Sequence, residues 1–252
     1  MKVAELSWVE AQKVLRAVDT VVLPVGSTEQ HGPHCPLGTD HFTAEAVAVA
    51  VGERAGLPVL PVVAVGVSSH HRQFPGTLWA PPDVFRDYVK AIILSASSHG
   101  PRKFFIVNGH GGNTASLKEV AEELRSDDDI FVAIANAYPK LDGHAGEDET
   151  SLIIHLRPEL VDMKEAVDQK QSEALAGIRM KTQKVGPAEF GFDTIDLTPT
   201  GIFGAAGKTI EATKATAKHG EELYEAHLEE LCDFAEDLKK ARLEELLPKP
   251  HK

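Results

Sequence analysis

Four short apolar runs, each followed by a stretch that reads as a helix, constrain this chain more than any other feature. Residues 20–25 (TVVLPV), 58–66, 103–108 (KFFIVN) and 130–138 (IFVAIANAY) read as buried strands. Residues 40–54, a segment from Pro81-Pro82 and Asp83 to about Ser98, 113–126 and about 147–156 read as helices. Parallel strands need long crossovers, so this alternation predicts βαβ units and a mainly parallel sheet covered on both faces. Ahead of it, Ser7 with Glu10 three residues on predicts a capping box and a short helix. Between about 165 and 208 the pattern weakens into an irregular excursion, a subdomain or an oligomer contact, and from about 209 to 246 a long amphipathic helix is expected. The whole of 1–252 reads as a single domain.

Charge and composition exclude several classes. A formal charge of -12 leaves no clustered basic surface for nucleic acid. The longest apolar stretch, VLPVVAVGV at 59–67, is too short for a bilayer span, and no secretory signal is evident near Met1. Cys35 and Cys232 form no disulfide framework, which makes the cytoplasm the expected location. For Cys35 the simplest reading is a small buried hydrophobe.

The histidines fall in a pattern. His31, His34 and His41 follow the first strand, His70 and His71 the second, His110 the third, and His144 lies beyond the fourth. That is seven of the twelve histidines on loops at the carboxyl ends of strands, where open parallel sheets bind ligands. In GSTEQHGPHCPLGTD (26–40), Glu29 and His31 share a face if the backbone stays extended. Asp40 sits at the mouth of a helix, where capping and ligation both remain open. Glutamate, histidine, aspartate and a distant histidine form a mixed nitrogen and oxygen set, suited to Zn, Mn, Fe or Co rather than Ca or Mg.

NGHGGN (108–113) supplies glycines for a tight turn and Asn113 as a helix N-cap. The dinucleotide pattern Gly-x-Gly-x-x-Gly fails there because its last position is Thr114, which leaves His110 as a ligand delivered from the strand end. In HAGEDETS (144–151), Glu147 and Asp148 suit a helix start.

GSTEQHGPHCPLGTD, FPGTLW, VNGHGGN, HAGEDETS and GIFGAAGKTIEATKATAKHG together resemble, in order and spacing, the creatininase (creatinine amidohydrolase) family, over about residues 20–220. The resemblance implies a three-layer α/β/α fold, a homohexamer, and a dinuclear metal centre in which an activated water hydrolyses C–N bonds of linear or cyclic amides. It also implies that Glu29, Asp40 and His110 bind one ion, while His31 and Asp40 bind the other. Creatininase proper has a further glutamate ligand where this chain has Gly112, and Glu149 looks like its substitute. His144 is the expected proton donor to the leaving nitrogen, with Glu149 beside it. His71, Gly111 and Gly112 are expected substrate contacts.

The tryptophans that flank the small ring in creatininase proper are absent, since only Trp8 and Trp79 occur and neither lies in those segments. Phe74 and Trp79 are the aromatic residues nearest the second-strand loop. The expected substrate is a small-molecule amide, formamide or cyclic amide, with creatinine itself disfavoured. Other members deformylate a formamidopyrimidine, trim a redox-cofactor peptide or open a cyclic sugar. A non-catalytic metal-stabilised protein is the rival class.

Overall fold

The three long strands of the computed structural model line up one beside the next: β1 (Thr20–Val25), β2 (Lys103–Asn108) and β3 (Phe131–Asn136), all parallel. The structure describes residues 1–139, 141–181, 184–185, 188–189 and 191–249. Val25, Asn108 and Asn136 are partners in register, so the loops leaving the three strands start at one level. The expected strand at 58–66 runs parallel to β1 but touches it only at two isolated bridges, Val22–Val59 and Val25–Val63. Pro61, between those bridges, has no N–H to give to a continuous ladder.

Every residue of β1 and β2 is buried, and successive side chains feed opposite layers. Val21, Leu23, Val25, Phe104 and Ile106 pack with α1 (Trp8–Ala17), α3 (Pro82–Ser97) and α4 (Thr114–Asp127) through Leu15, Phe85, Val89, Ile93, Leu117, Val120 and Leu124. Val22, Phe105 and Val107 pack with α2 (Thr39–Ala55), α5 (Glu147–Leu156) and α7 (Ala217–Lys240) through Val47, Val51, Leu152, Leu228 and Leu231. Three α/β/α layers result. Ser7 and Glu10 form the expected capping box at α1.

Lys103 opens β2 with its side chain fully buried, which needs partners. Its Nζ donates to the carbonyls of Leu238 at 2.7 Å, Lys239 at 3.1 Å and Ala241 at 2.7 Å, and stands 3.1 Å from Asp19 Oδ2. These are the free carbonyls at the end of α7, where positive charge also suits the helix dipole.

The excursion carries more order than expected. β4 (Asp168–Lys170) pairs antiparallel with β9 (Thr209–Glu211). β5 (Ala174–Leu175), β6 (Ile178–Lys181), β7 (Lys184–Val185) and β8 (Ala188–Glu189) make a small antiparallel sheet, followed by α6 (Thr194–Leu197). Residues 182, 183, 186, 187 and 190 of the excursion, and 250–252 of the expected single domain, lie outside the described residues. The expected helix from 209 begins instead at Ala217, because Ile210 is buried as part of β9 and Thr216 caps α7 by accepting from His219 N at 3.2 Å. It ends at Lys240, and the short α8 (Leu243–Leu246) follows. Among the described residues no helix is long and apolar enough to cross a membrane.

Candidate metal centre

The loops after β1, β2 and β3, the 3-10 turn at Ser69–His71 and the first turn of α5 converge on one cleft of about 790 Å³. Two asparagines fasten its floor. Asn113 Oδ1 accepts from Val67 N at 2.8 Å, its Nδ2 donates to Gly26 O at 3.0 Å, and Asn108 Nδ2 donates to His110 O at 2.8 Å. Asn113 is at the N-cap of α4, but its side chain makes these loop bonds and not a capping bond.

Asp40 lies in the first turn of α2 after Gly38 and makes no capping bond either. Its carboxylate turns inward. Oδ1 is 3.0 Å from His31 Nε2, and Oδ2 is 3.1 Å from His110 Nδ1. Glu29 Oε2 is 3.1 Å from the same His110 nitrogen, and Glu149 Oε1 is 3.5 Å from His31 Nε2. Ligand atoms of Glu29, Asp40 and His110 lie within 4.8 Å of one another, as do those of His31, Asp40 and Glu149. Glu29, His31 and His144 form a third such group.

The outer nitrogens of both imidazoles donate to carbonyl oxygens. His31 Nδ1–H donates to Glu29 O at 3.2 Å, and His110 Nε2–H donates to Val67 O at 3.0 Å. This leaves the inner nitrogens, His31 Nε2 and His110 Nδ1, to face carboxylates, the arrangement that a hydrogen bond from the outer nitrogen imposes on metal-binding histidines. Both Glu29 oxygens and Asp40 Oδ2 are buried without a well-formed hydrogen bond. Buried carboxylate oxygens in that state need a cation. The donor set therefore fits divalent metal.

The electrostatics agree. Burial pushes His31 down, but Asp40 and Glu149 outweigh it and hold the ring well above the ordinary histidine value. Burial likewise opposes His110, which Glu29 and Asp40 carry well above that value. Burial raises the Glu29 carboxyl; it opposes Asp40 and Glu149, which the neighbouring histidines hold below the carboxylate range. The pocket demands positive charge at its inner nitrogens, and protons or cations can both supply it.

The remaining expected residues have distinct places. Gly111 and Gly112 line the cleft. A Cβ on Gly112 would stand 2.4 Å from His110 Nε2 and 2.4 Å from Val67 O, so this position has no room for the glutamate of creatininase proper. Glu149 Oε2 accepts from Ala145 N at 2.6 Å, which aims Oε1 at His31. His144 Nε2–H donates to Gln30 O at 2.9 Å, its Nδ1 lies 3.9 Å from Glu149 Oε2, and burial pushes its ring down to about 4. His71 stands at the inner wall with both nitrogens facing protein: Gln30 Nε2 at 2.8 Å, Thr194 Oγ1 at 3.0 Å and Glu29 Oε1 at 3.3 Å. Neither nitrogen is left for a substrate. Its neighbour His70 also lines the cleft, stacked on His110 with ring centroids 5.8 Å apart.

His34 and His41 stay out of the centre, bonding Thr150 Oγ1 at 2.9 Å and Ser27 O at 2.9 Å. Burial pushes the Cys35 thiol up to about 12, which makes it a neutral packing group. Trp8, Phe74 and Trp79 do not line the cleft, whereas Phe192 and Phe203 do. Phe203 stacks on His144 with centroids 4.9 Å apart, which gives the cleft an aromatic wall from the excursion. Sequence reasoning gave no role to Gln30, Phe192, Thr194 and Phe203, nor to Tyr138, whose hydroxyl donates to Asp40 Oδ1 at 3.4 Å at the cleft wall; His70 entered only as one of the seven histidines at strand ends.

Against known proteins, residues 4–235 match the family model described as creatininase, creatinine amidohydrolase. The chain is 35% identical over 213 residues to the mycofactocin precursor peptide peptidase of Mycolicibacterium smegmatis, covering 82% of this chain and 80% of that protein. It is 33% identical over 198 residues to the creatinine amidohydrolase of Pseudomonas putida, covering 66% and 75%. A crystal structure of creatinine amidohydrolase superposes with a TM-score of 0.78 at 26% identity, over 96% of this chain and 98% of that one. A manganese form of creatininase superposes at 0.77 with 26% identity, over 95% and 99%.

Proposed function

The chain belongs to the creatininase family of metal-dependent amidohydrolases, and we propose that it hydrolyses an amide C–N bond with two divalent ions. Glu29, Asp40 and His110 would hold one ion; His31, Asp40 and Glu149 would hold the other. The observation that carries this reading is the pair of ligand triads meeting at Asp40. A nitrogen and oxygen donor set suits Zn, Mn or Fe, and the manganese form of creatininase supports that range. When bound, such a pair lowers the pKa of a water toward roughly 7 and polarises an amide carbonyl.

The chain's own groups do the rest. His144, neutral and at the cleft wall with its Nε2–H on Gln30 O, would take up at Nδ1 the proton given up by the attacking water and return it to the leaving nitrogen, with Glu149 beside Nδ1 to steady the charge. Gly111 and Gly112 present bare backbone to the substrate. Phe192 and Phe203 cover the opposite side with apolar surface. Without the flanking tryptophans, creatinine is expected to be a poor substrate.

Trimming of a peptide end is the second reading, favoured by the identity to the mycobacterial peptide peptidase over most of both chains. Incubating the metal-loaded protein with N-formyl compounds, lactams, creatinine and short peptides, and reading out amine or formate, separates these. A fully loaded protein that releases neither from any of them contradicts the hydrolase assignment.

A cytoplasmic homohexamer belongs to the same proposal. Exposed Trp8, Leu78, Trp79, Val84 and Tyr88 offer apolar surface to such an assembly. Light scattering on the eluted protein checks it, and a monomer at micromolar concentration contradicts it.

A further inference from the structure

Gln30 separates two of the proposed ligands in sequence and is itself buried, yet its side chain turns away from them. Its amide orientation is fixed from both ends. Oε1 accepts from Gly32 N at 2.9 Å, and Nε2 donates to Gly201 O at 3.0 Å. Flipping the amide would set N–H against N–H at Gly32 and oxygen against oxygen at Gly201. His144 Nε2 also lies 3.0 Å from Gln30 Nε2, but it carries a proton that it donates to Gln30 O at 2.9 Å and cannot accept, so the second Nε2 hydrogen goes to His71 Nδ1, 2.8 Å away.

An amide nitrogen only donates, so His71 Nδ1 accepts and the ring carries its proton on Nε2. That N–H faces Glu29 Oε1 across 3.3 Å. The other Glu29 oxygen faces His110 Nδ1 at 3.1 Å. Gly201 makes the close approach possible, with φ +84° and a site where a Cβ would come 1.7 Å from Gln30 Oε1. Thr194 Oγ1, from α6, closes the ring of contacts 3.0 Å from His71 Nδ1.

We propose that Gln30 is a positioning residue: its amide sets the tautomer of His71, and His71 in turn holds the Glu29 carboxylate in the orientation that binds metal. This rests on the two-ion reading above. It also ties the excursion, through Thr194 and Gly201, to metal affinity at the Glu29 site. The opposite tautomer would turn a nitrogen lone pair on Glu29 and push its carboxylate away.

Two measurements test it without substrate. In the 15N spectrum of the metal-loaded protein, His71 Nε2 should carry the proton, and Gln30→Met should abolish that single-tautomer signature. Competition with a chelator should show Gln30→Met and His71→Leu weakening one ion by about 10–100-fold, the usual effect of removing an outer partner of a ligand. His71→Gln, which can still offer an N–H to Glu29, should recover most of that affinity. Unchanged tautomer and affinity in Gln30→Met overturn the proposal while leaving the two-ion reading intact. If Gln30→Met does not fold, equal affinities for His71→Leu and His71→Gln overturn it. A wild-type protein that takes up no divalent ion removes both.

Discussion

Glu149 Oε1 stands 3.5 Å from His31 Nε2, although one residue begins in the helix after β3 and the other in the loop after β1. The backbone at Ala145 fixes this meeting by donating to the second Glu149 oxygen at 2.6 Å. At Gly112, where creatininase proper carries its carboxylate, a Cβ would already press on His110 and Val67. In the proposed centre, the carboxylate for the His31 site comes from α5.

Glu149→Gln is expected to weaken the His31 site selectively, leaving one ion at the Glu29, Asp40 and His110 site. Titration with Zn or Mn, followed calorimetrically, checks this. Two wild-type affinities in the variant would reduce Glu149 to a carboxylate at a helix start. Adding Glu at 112 to that variant should not restore the second ion, because His110 occupies the space.

His144 tests proton transfer apart from ligation. His144→Gln is expected to retain both ions and lose roughly 10²–10⁴ in kcat, the range for a positioned acid or base. Because His144 also falls in a group with Glu29 and His31, metal content must be measured on the same sample. Loss of an ion along with activity would make His144 a ligand.

Lys103 should matter for stability and not for chemistry, since it lies at the opposite end of β2 from His110. Lys103→Met leaves three carbonyls at the end of α7 without their buried donor. The expected loss is on the order of 3 kcal/mol, from unsatisfied buried acceptors and a broken charge contact. Urea unfolding of both proteins measures it. A change below about 0.5 kcal/mol, the usual range for surface substitutions, would mean that water replaces the ammonium.

His219 gives a pH dependence of known sign. Its Nε2 is 2.8 Å from Asp148 Oδ1, and that hydrogen bond raises the ring above its ordinary value. The stabilisation is complete below the unfolded histidine value of about 6.5 and is lost as pH rises through the higher folded value. His219→Gln should therefore differ most from wild type below about pH 6.5, by no more than about 1 kcal/mol for a partly exposed pair, and converge on it as pH rises past the folded value. A difference that grows with pH would contradict the pairing.

Much of the site was legible because its chemistry sits on strand ends. Alternating runs placed β1, β2 and β3, and the loops that follow them must meet. Glu29, His31, Asp40 and His110 were readable for that reason, and Glu149 only through the absence of a carboxylate at Gly112. What failed depended on contacts distant in sequence. The run at 58–66 had strand composition, but Pro61 interrupts its pairing. Asp40 and Asn113 have the residue types of helix caps and spend their side chains elsewhere. His70 and His71 differ in role because a 3-10 turn points neighbours in different directions, which composition does not encode. Gln30 looked like filler beside two ligands until its amide was seen between Gly32, Gly201 and His71.

Metal stoichiometry in Asp40→Ala tests the central claim most directly. Asp40 offers one oxygen to each imidazole, at 3.0 and 3.1 Å, so both proposed ions depend on it. Elemental analysis should find two equivalents of divalent metal in the wild-type protein and fewer than one in Asp40→Ala, with circular dichroism showing the fold retained. Two full equivalents in a folded Asp40→Ala protein would contradict a centre built around a shared carboxylate.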